Sequence, residues 1–208
     1  GQTGFTAYAG LFPVGKLQAG ETVLVSGAGG AVGSMAGQFA RLSGASRVIG
    51  SAGGADKCQW LLDDCGFDYV INYRDADFAE ELPKAAPDGI DLFFDNVGGW
   101  QMAAAFQNMK IHGRVSMCGA ISNFGTTPQP STAVMIEMIL RRITVQGFIV
   151  RDYEDLRPEF ESKVSGWLAS GELVDRATVF EGIENAGAGL AGLLSGANVG
   201  KALVHLSD

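Results

Sequence analysis

The sequence predicts an α/β fold with a doubly wound parallel sheet, and three observations support this prediction. Short apolar runs rich in Val, Ile and Phe alternate with longer segments of helical pattern, as in strand–helix–strand units. The apolar runs are nearly continuous, which is typical of strands covered by helices on both faces. Glycines are concentrated between the runs and the helical segments, so the connections are expected to be short turns.

Six strands are expected, joined by five helices that are each long enough to cross back over the sheet. The predicted strands are residues 22–26, 47–51, 69–72, 92–95, 114–118 and 144–150. The predicted helices between them are residues 32–43, 55–65, 78–85, 100–108 and 132–141, after a lead-in helix within residues 1–20. The pattern then changes to a helix at 157–168, a strand at 177–180, a helix at 183–194 and a strand at 201–206. This tail does not obviously extend the sheet.

Composition and charge restrict the function classes that are open to the chain. Glycine accounts for 30 of 208 residues and proline for 6, and 47% of residues are hydrophobic, so the chain can bury a sizeable core. The net charge of −8 disfavours a nucleic-acid partner, because binding to phosphate backbones depends on Lys and Arg. No apolar run approaches the roughly 18 residues of a membrane span. Three cysteines, none in a C-x-x-C pair, suggest reduced thiols and a cytoplasmic location.

The strongest local motif is a glycine-rich turn between the first strand and the first crossover helix, at residues 27–33. Gly27, Gly30 and Gly33 suit a tight turn, close approach of the backbone to a pyrophosphate, and close packing of helix on strand. N–H groups at the start of the helix can then bind phosphate oxygens. This context predicts a Rossmann dinucleotide-binding site, with the spacing Gly-x-x-Gly-x-x-Gly in place of the usual Gly-x-Gly-x-x-Gly. An ordinary tight turn without a ligand is the alternative.

The end of the second strand favours NADP over NAD as the cofactor. NAD sites usually carry an acid there to bind the ribose hydroxyls, but residues 50–55 contain none, and the first acid, Asp56, is followed by Lys57. A lysine at the start of a helix can bind the 2′-phosphate of NADP by charge and hydrogen bond. A solvated surface lysine is the alternative role for Lys57.

Other chemistries have less support in the sequence. The missing acid disfavours a methyltransferase, and none of the four tyrosines has the Tyr-x-x-x-Lys spacing of short-chain dehydrogenases. His112 and His205 lie far apart in the chain, and no Cys/His pair has the spacing of metal ligands. No metal site is therefore predicted.

Further motifs occur in a fixed order around the glycine loop. They are Thr3-Gly4-Phe5-Thr6-Ala7-Tyr8, Gly66-Phe67-Asp68 leading to Asn72-Tyr73, Phe94-Asp95-Asn96-Val97-Gly98-Gly99, Cys118-Gly119-Ala120-Ile121-Ser122 and Asn198-Val199-Gly200-Lys201. Together they resemble the zinc-independent medium-chain dehydrogenase/reductases, in particular the group of prostaglandin reductase, leukotriene B4 dehydrogenase and curcumin reductase. The resemblance extends over essentially the whole chain.

The resemblance implies a set of cofactor contacts that runs from the pyrophosphate to both ends of NADPH. The implied contacts at the pyrophosphate are Gly30, Ala31, Val32 and Gly33. Those at the adenosine 2′-phosphate are Lys57 and Tyr73. Those facing the rest of the cofactor are Asn96, the loop Cys118, Gly119, Ala120, Ile121 and Ser122 along the nicotinamide half, Phe148, Ile149 and Val150 at the strand end behind the ring, and Asn198 from the tail.

The resemblance also implies an activity, the NADPH-dependent reduction of the C=C bond of α,β-unsaturated ketones and aldehydes. Relatives that use zinc carry a cysteine ligand just before the first strand, where this chain has Thr3-Gly4 and its neighbours, so zinc is not expected. No catalytic residue is assigned, because residues 135–143 lack the tyrosine that some relatives place there. The alternatives are an NADPH quinone oxidoreductase and a non-catalytic nucleotide-binding sensor or interaction domain.

Domain organisation and partners follow from the same resemblance. The family carries a GroES-like catalytic domain before the Thr3 motif, so the chain is expected to be the cofactor-binding part of the enzyme. Residues 1–176 would form the Rossmann domain, and residues 177–208 would return to the largely absent catalytic domain. Relatives often pair through the edge strand, here residues 143–150, so a homodimer is expected. The other partner is a small-molecule enone, with no nucleic acid and no membrane.

Overall fold

The computed structural model describes residues 1–123 and 132–206, and its centre is a six-stranded parallel sheet. The strands are β1 Thr22–Val25, β2 Arg47–Ala52, β3 Tyr69–Asn72, β4 Ile90–Asp95, β5 Met109–Met117 and β6 Thr144–Gly147. Their order across the sheet is β3-β2-β1-β4-β5-β6, and all neighbours run parallel. The predicted doubly wound Rossmann sheet is confirmed. The order reverses direction between β1 and β4, which is where such sheets open a crevice for ligands.

Helices pack on both faces of the sheet, so the core consists of two layers with the sheet between them. They are α1 Gln2–Ala9, α2 Ala31–Leu42, α3 Ala55–Asp63, α4 Phe78–Ala85, α5 Gly99–Asn108, α6 Thr132–Arg141, α7 Arg157–Ala169 and α8 Ala186–Ser195. Side chains alternate across β1, so Val23 and Val25 pack in the layer of α1, α2, α3 and α7, whereas Leu24 packs in the layer of α4 and α5. Within the described ranges, no helix is both long and apolar enough to cross a membrane.

The end of the chain forms a small unit of its own against the glycine loop. Strands β7 Ala177–Glu181 and β8 Lys201–His205 pair in parallel and are connected through α8. This two-stranded sheet does not extend the large one, as the sequence indicated. The unit contacts the glycine loop directly, because the N–H of Gly200 donates to the carbonyl of Gly29 at 2.9 Å.

The largest differences from the predicted strand boundaries are at β6 and β5, and local packing accounts for both. The predicted strand 144–150 ends at Gly147, whose register partner is Met117, and a 3-10 turn begins at Val150. The Phe148 ring lies 6.5 Å from the ring of Phe94, so this residue leaves the edge strand to pack inward. Phe148, Ile149 and Val150 are therefore not a strand end, contrary to the prediction.

The fifth strand is longer than the predicted range 114–118, because it begins at Met109. The register shifts between Ile90 and Leu92 of the neighbouring β4, and His112 has φ 63° within the extra length of β5. A bulge of this kind interrupts the apolar run. The sequence pattern therefore indicated only the second half of the strand. The strand also ends one residue early, at Met117.

Candidate functional site

The glycine loop joins β1 to α2 with a geometry that only glycine permits at two positions. Gly27 has φ 59°, a region that L residues rarely adopt. A Cβ atom at Gly33 would lie 2.4 Å from the carbonyl oxygen of Gly27 and 2.7 Å from the Cα of Ala28, so α2 packs against the loop only with a glycine there. Gly30 is the N-cap of α2, and no side chain among the described residues caps the helix. The first N–H groups of α2 therefore point into the cleft as donors for an anion.

A buried hydrogen-bond network fixes the loop after β4 next to the glycine loop. The Ser26 hydroxyl donates to Oδ1 of Asp95 at 2.6 Å, and the N–H groups of Val97 and Gly98 donate to the same oxygen at 2.9 and 3.0 Å. The Asn96 side chain donates to the Ser26 carbonyl at 2.7 Å. Burial raises the pKa of the Asp95 carboxyl, and these hydrogen bonds oppose the rise. Asn96 was predicted as a cofactor contact, whereas the sequence did not indicate that Asp95 fixes the loop that carries it.

A cleft of about 600 Å³ opens between the glycine loop, the ends of β2 and β4, and the end of α8. Most of the predicted cofactor contacts line it, namely Gly30, Ala31, Val32, Gly33, Lys57, Tyr73, Asn96, Ile121, Ser122 and Asn198. The structure thus brings together residues that are up to 168 positions apart in the printed sequence, from Gly30 to Asn198.

The remaining predicted contacts lie beside this cleft and do not line it. They are Cys118, Gly119, Ala120, Phe148, Ile149 and Val150. The N–H groups of Cys118 and Gly119 donate to the carbonyl of Asp95 at 2.8 and 3.1 Å, so their loop is tied to the end of β4. Burial raises the pKa of the Cys118 thiol to about 12, which keeps it protonated and unreactive at neutral pH. Ile149 is 65% exposed.

The far end of the cleft, beyond the end of β2, collects aromatic and cationic side chains. The Lys57 ammonium donates to the carbonyl of Gly196 at 2.7 Å, and burial is the main cause that lowers its pKa. The rings of Tyr73 and Trp100 meet edge to face with centroids 5.9 Å apart. Trp100 is half exposed and lines the cleft, where a planar aromatic face suits a nucleobase. Sequence analysis missed Trp100, although its place directly after Gly98-Gly99 at the start of α5 marked the position.

The end of β2 has no carboxylate, as the sequence indicated. Ser51, near the end of the strand, donates its hydroxyl to Oε1 of Gln101 at 2.6 Å, and both residues are buried. A Cβ atom at Gly53 would lie 2.6 Å from the Tyr73 hydroxyl oxygen, so the absence of a side chain at this position leaves room for the tyrosine. This end of the cleft is therefore built from small, neutral and cationic groups, which suits an added phosphate better than a ribose hydroxyl pair.

The two histidines occupy separate places in the fold. His112 lies in the bulge of β5, and His205 at the end of β8 contacts the Glu181 carboxylate at 2.7 Å. In the part of the chain that the structure describes, no group of three or more His, Cys, Asp or Glu residues is arranged to hold a metal ion.

Comparison with known proteins connects this geometry to a family. The model of the family described as zinc-binding dehydrogenase matches residues 31–168, from the start of α2 into α7. The chain belongs to the zinc-binding dehydrogenase family. The chain has the same fold as a crystal structure of CurA from Vibrio vulnificus in complex with NADPH. The two superpose with a TM-score of 0.95 at 42% identity, over 100% of this chain and 63% of that chain.

Curated members of the family include two close relatives of this chain. The NADP-dependent 2-alkenal reductase of Nicotiana tabacum is 41% identical over 100% of this chain and 60% of its own length. Prostaglandin reductase 1 of Bos taurus is 42% identical over 98% of this chain and 62% of its own length. The predicted place among zinc-independent medium-chain dehydrogenase/reductases, in the prostaglandin and curcumin reductase group, is confirmed. The chain spans about three fifths of the length of these relatives.

Proposed function

We propose that this chain is the cofactor-binding part of an NADPH-dependent oxidoreductase that reduces the C=C bond of α,β-unsaturated ketones and aldehydes. The observation that carries the proposal is the cleft itself, with a glycine loop and a helix N-terminus on one side and Lys57 with Tyr73 at the far end. The relatives named as alkenal and prostaglandin reductases support the substrate class.

The proposed cofactor contacts are those of the sequence analysis. Gly30 to Gly33 bind the pyrophosphate through N–H groups of α2, and Lys57 binds the 2′-phosphate beside Tyr73. Asn96 and the loop from Cys118 to Ser122 follow the nicotinamide half, with Phe148 to Val150 behind the ring. Asn198 approaches from the β7–α8–β8 unit, where its side chain donates to the carbonyl of Gly200 at 2.8 Å.

The division of labour in the reaction follows from these contacts. When bound, NADPH would supply the hydride for the β-carbon of the enone, and a proton would then complete the reduction. The residues of this chain bind and orient the cofactor through the glycine loop and the loop after β4, which the hydrogen bonds of Asp95 connect to each other. No residue of the chain is assigned as the proton donor.

The activity is tested with the chain expressed together with whatever coding sequence precedes residue 1 in its gene. We expect NADPH oxidation with an alkenal or an enone, and little with a quinone. Faster turnover of quinones would favour the quinone oxidoreductase alternative. Tight NADPH binding without turnover of any acceptor would favour the non-catalytic nucleotide sensor.

The assignment of Lys57 predicts a specific loss in the Lys57→Ala variant. We expect NADPH affinity to fall by roughly 10- to 100-fold, because a charge-assisted hydrogen bond is lost, while NADH affinity stays the same. Calorimetric titration measures both values. Lys84→Ala serves as the matched control, because Lys84 is paired with Glu81 on the surface of α4. Unchanged NADPH affinity in Lys57→Ala, or equal binding of NADH and NADPH by the parent chain, would contradict the assignment.

The domain division and the partners complete the proposal. Residues 1–176 form the Rossmann domain, and residues 177–208 lead to a catalytic domain. The two-stranded sheet of β7 and β8 supports this, since Val179 and Leu203 are exposed and a two-stranded sheet gains stability from further packing. Exposed apolar side chains on α6 and β6, including Ile139 and Val145, support a homodimer through residues 143–150. Three free cysteines, two of them buried, support a cytoplasmic location.

A further inference from the structure

Two cations from different elements converge on the end of α8, next to the far end of the cleft. Lys57 extends from the first turn of α3, and Arg74 follows β3. Their side chains donate to adjacent carbonyls at the end of α8, Lys57 Nζ to Gly196 at 2.7 Å and Arg74 Nη2 to Ser195 at 3.1 Å. A Cβ atom at Gly196 would lie 3.8 Å from Lys57 Nζ and 3.7 Å from Arg74 Nη2. The two charges are therefore close neighbours.

Neither cation of this pair lies within ion-pair distance of a carboxylate in the part of the chain that the structure describes. After burial, the Arg74 charge is the next cause that lowers the pKa of Lys57, as expected when two cations repel each other. The C-terminal end of α8 offsets part of this repulsion, because carbonyl dipoles at a helix C-terminus favour cations. Carbonyls carry no net charge, so these hydrogen bonds do not neutralise either cation.

Both side chains keep most of their hydrogen-bond donors for such a ligand. A lysine ammonium has three donors and an arginine guanidinium has five. The hydrogen bonds to Ser195 and Gly196 hold each group in place and use one donor of each. A phosphate monoester brings a charge of about −1.5 to −2 and three acceptor oxygens, which matches this pair in charge and in donors.

The Arg74 side chain lies next to Gly53, the residue that follows β2. Its Nε atom lies 3.0 Å from where a Cβ atom of Gly53 would stand, directly after β2. NAD-binding proteins place an acid near the end of this strand to bind the ribose hydroxyls. Here a guanidinium covers the glycine instead, beside the Tyr73 hydroxyl.

We propose that Arg74 is a second cation of the 2′-phosphate site and selects NADPH over NADH together with Lys57. The inference rests on the proposed use of NADPH. It adds a residue that neither the glycine loop nor the sequence pattern at the end of β2 indicated. The end of α8 acts as the positioning element that holds both cations, Lys57 in the lining of the cleft and Arg74 beside it.

The test isolates the adenosine end by calorimetric titration of the 208-residue chain with two fragments, adenosine 2′,5′-bisphosphate and 5′-AMP. In Arg74→Gln we expect the affinity for the bisphosphate to fall roughly 10- to 100-fold and the affinity for 5′-AMP to stay within about 2-fold. Arg74→Lys keeps the charge and is expected to lose less. Arg142→Gln is the matched control, because Arg142 also donates to a main-chain carbonyl, that of Leu140, at 2.7 Å.

The outcomes separate this inference from the proposed function. An Arg74→Gln variant that binds the bisphosphate as tightly as the parent chain overturns the role of Arg74. An equal loss of affinity for both fragments also overturns it, since Arg74 would then support the site without contacting the 2′-phosphate. A parent chain that binds both fragments equally well instead refutes the proposed use of NADPH.

Discussion

Replacing Gly33 with alanine is expected to destabilise the chain and to disrupt cofactor binding together. The new Cβ would stand 2.4 Å from the Gly27 carbonyl and 2.7 Å from the Ala28 Cα, which are main-chain atoms that cannot rotate away. Relief requires α2 to move from the glycine loop, at a cost of about 3 kcal/mol, as for other overpacked sites. For a chain of this size, that lowers the melting temperature by roughly 6–12 °C. NADPH affinity is expected to fall by at least about 10-fold, because the N–H donors of α2 shift.

Gly30→Ala is the matched control for stability in this loop. A Cβ at Gly30 would meet only the Gly27 carbonyl, at 3.4 Å, and the φ of −93° suits any residue. We expect its melting temperature to stay within about 2 °C of the parent. Thermal unfolding followed by circular dichroism measures both variants. Equal melting temperatures for Gly33→Ala and Gly30→Ala would contradict the close packing of α2 on the loop.

Asp95→Ala is expected to produce the second large effect, a loss of about 3–5 kcal/mol in the free energy of unfolding. The variant leaves the Ser26 hydroxyl and the N–H groups of Val97 and Gly98 without their acceptor in a buried place. The loop after β4 would then lose its anchor, and Asn96 would lose its position at the cleft. Urea unfolding measures the stability, and NADPH titration measures the effect on the site.

Asp95→Asn is the control that separates loss of the acceptor from loss of the charge. An amide oxygen can replace Oδ1, which accepts from all three donors, so we expect a loss of only about 1 kcal/mol. Burial raises the folded-state pKa of Asp95, so its contribution to stability is full below the unfolded pKa and is lost as pH rises through the folded pKa. The stability of Asp95→Asn relative to the parent should therefore improve as pH rises through that range. A decrease over the same range would show that the ionised carboxylate is favoured in the fold.

Most of the sheet and the glycine loop could be predicted because their signals are local in the sequence. A continuous apolar run such as Thr22–Val25, followed by closely spaced glycines, defines a strand and its turn through backbone geometry alone. The boundaries that differed depend on a neighbour. β6 ends where Phe148 turns inward onto Phe94, and β5 begins earlier because a bulge interrupts its pattern at His112.

The far end of the cleft was predicted only in part, since its residues act through partners far along the chain. Lys57 was identified from its place after a strand without a terminal acid. Arg74 and Trp100 were missed, because an arginine after a strand and a tryptophan early in a helix are ordinary surface residues until the fold brings them to Tyr73 and the end of α8. Asp95 was missed as an anchor because its donors come from two separate loops.

The Rossmann sheet, the glycine loop and the lack of an acid directly after β2 could be inferred from the sequence alone. These follow from periodicity, from glycine conformation and from which charges are present or missing at a strand end, and each is decided within a few residues. Which cations lie together beyond the end of β2, and what holds them there, follows only from the tertiary structure. That arrangement depends on the end of α8 lying beside α3 and β3, so Ser195 and Gly196 supply carbonyls to side chains more than a hundred residues away. Two neighbouring cations repel each other, and the carbonyls of a helix C-terminus offset part of that repulsion. Only the folded chain brings these carbonyls to the two cations.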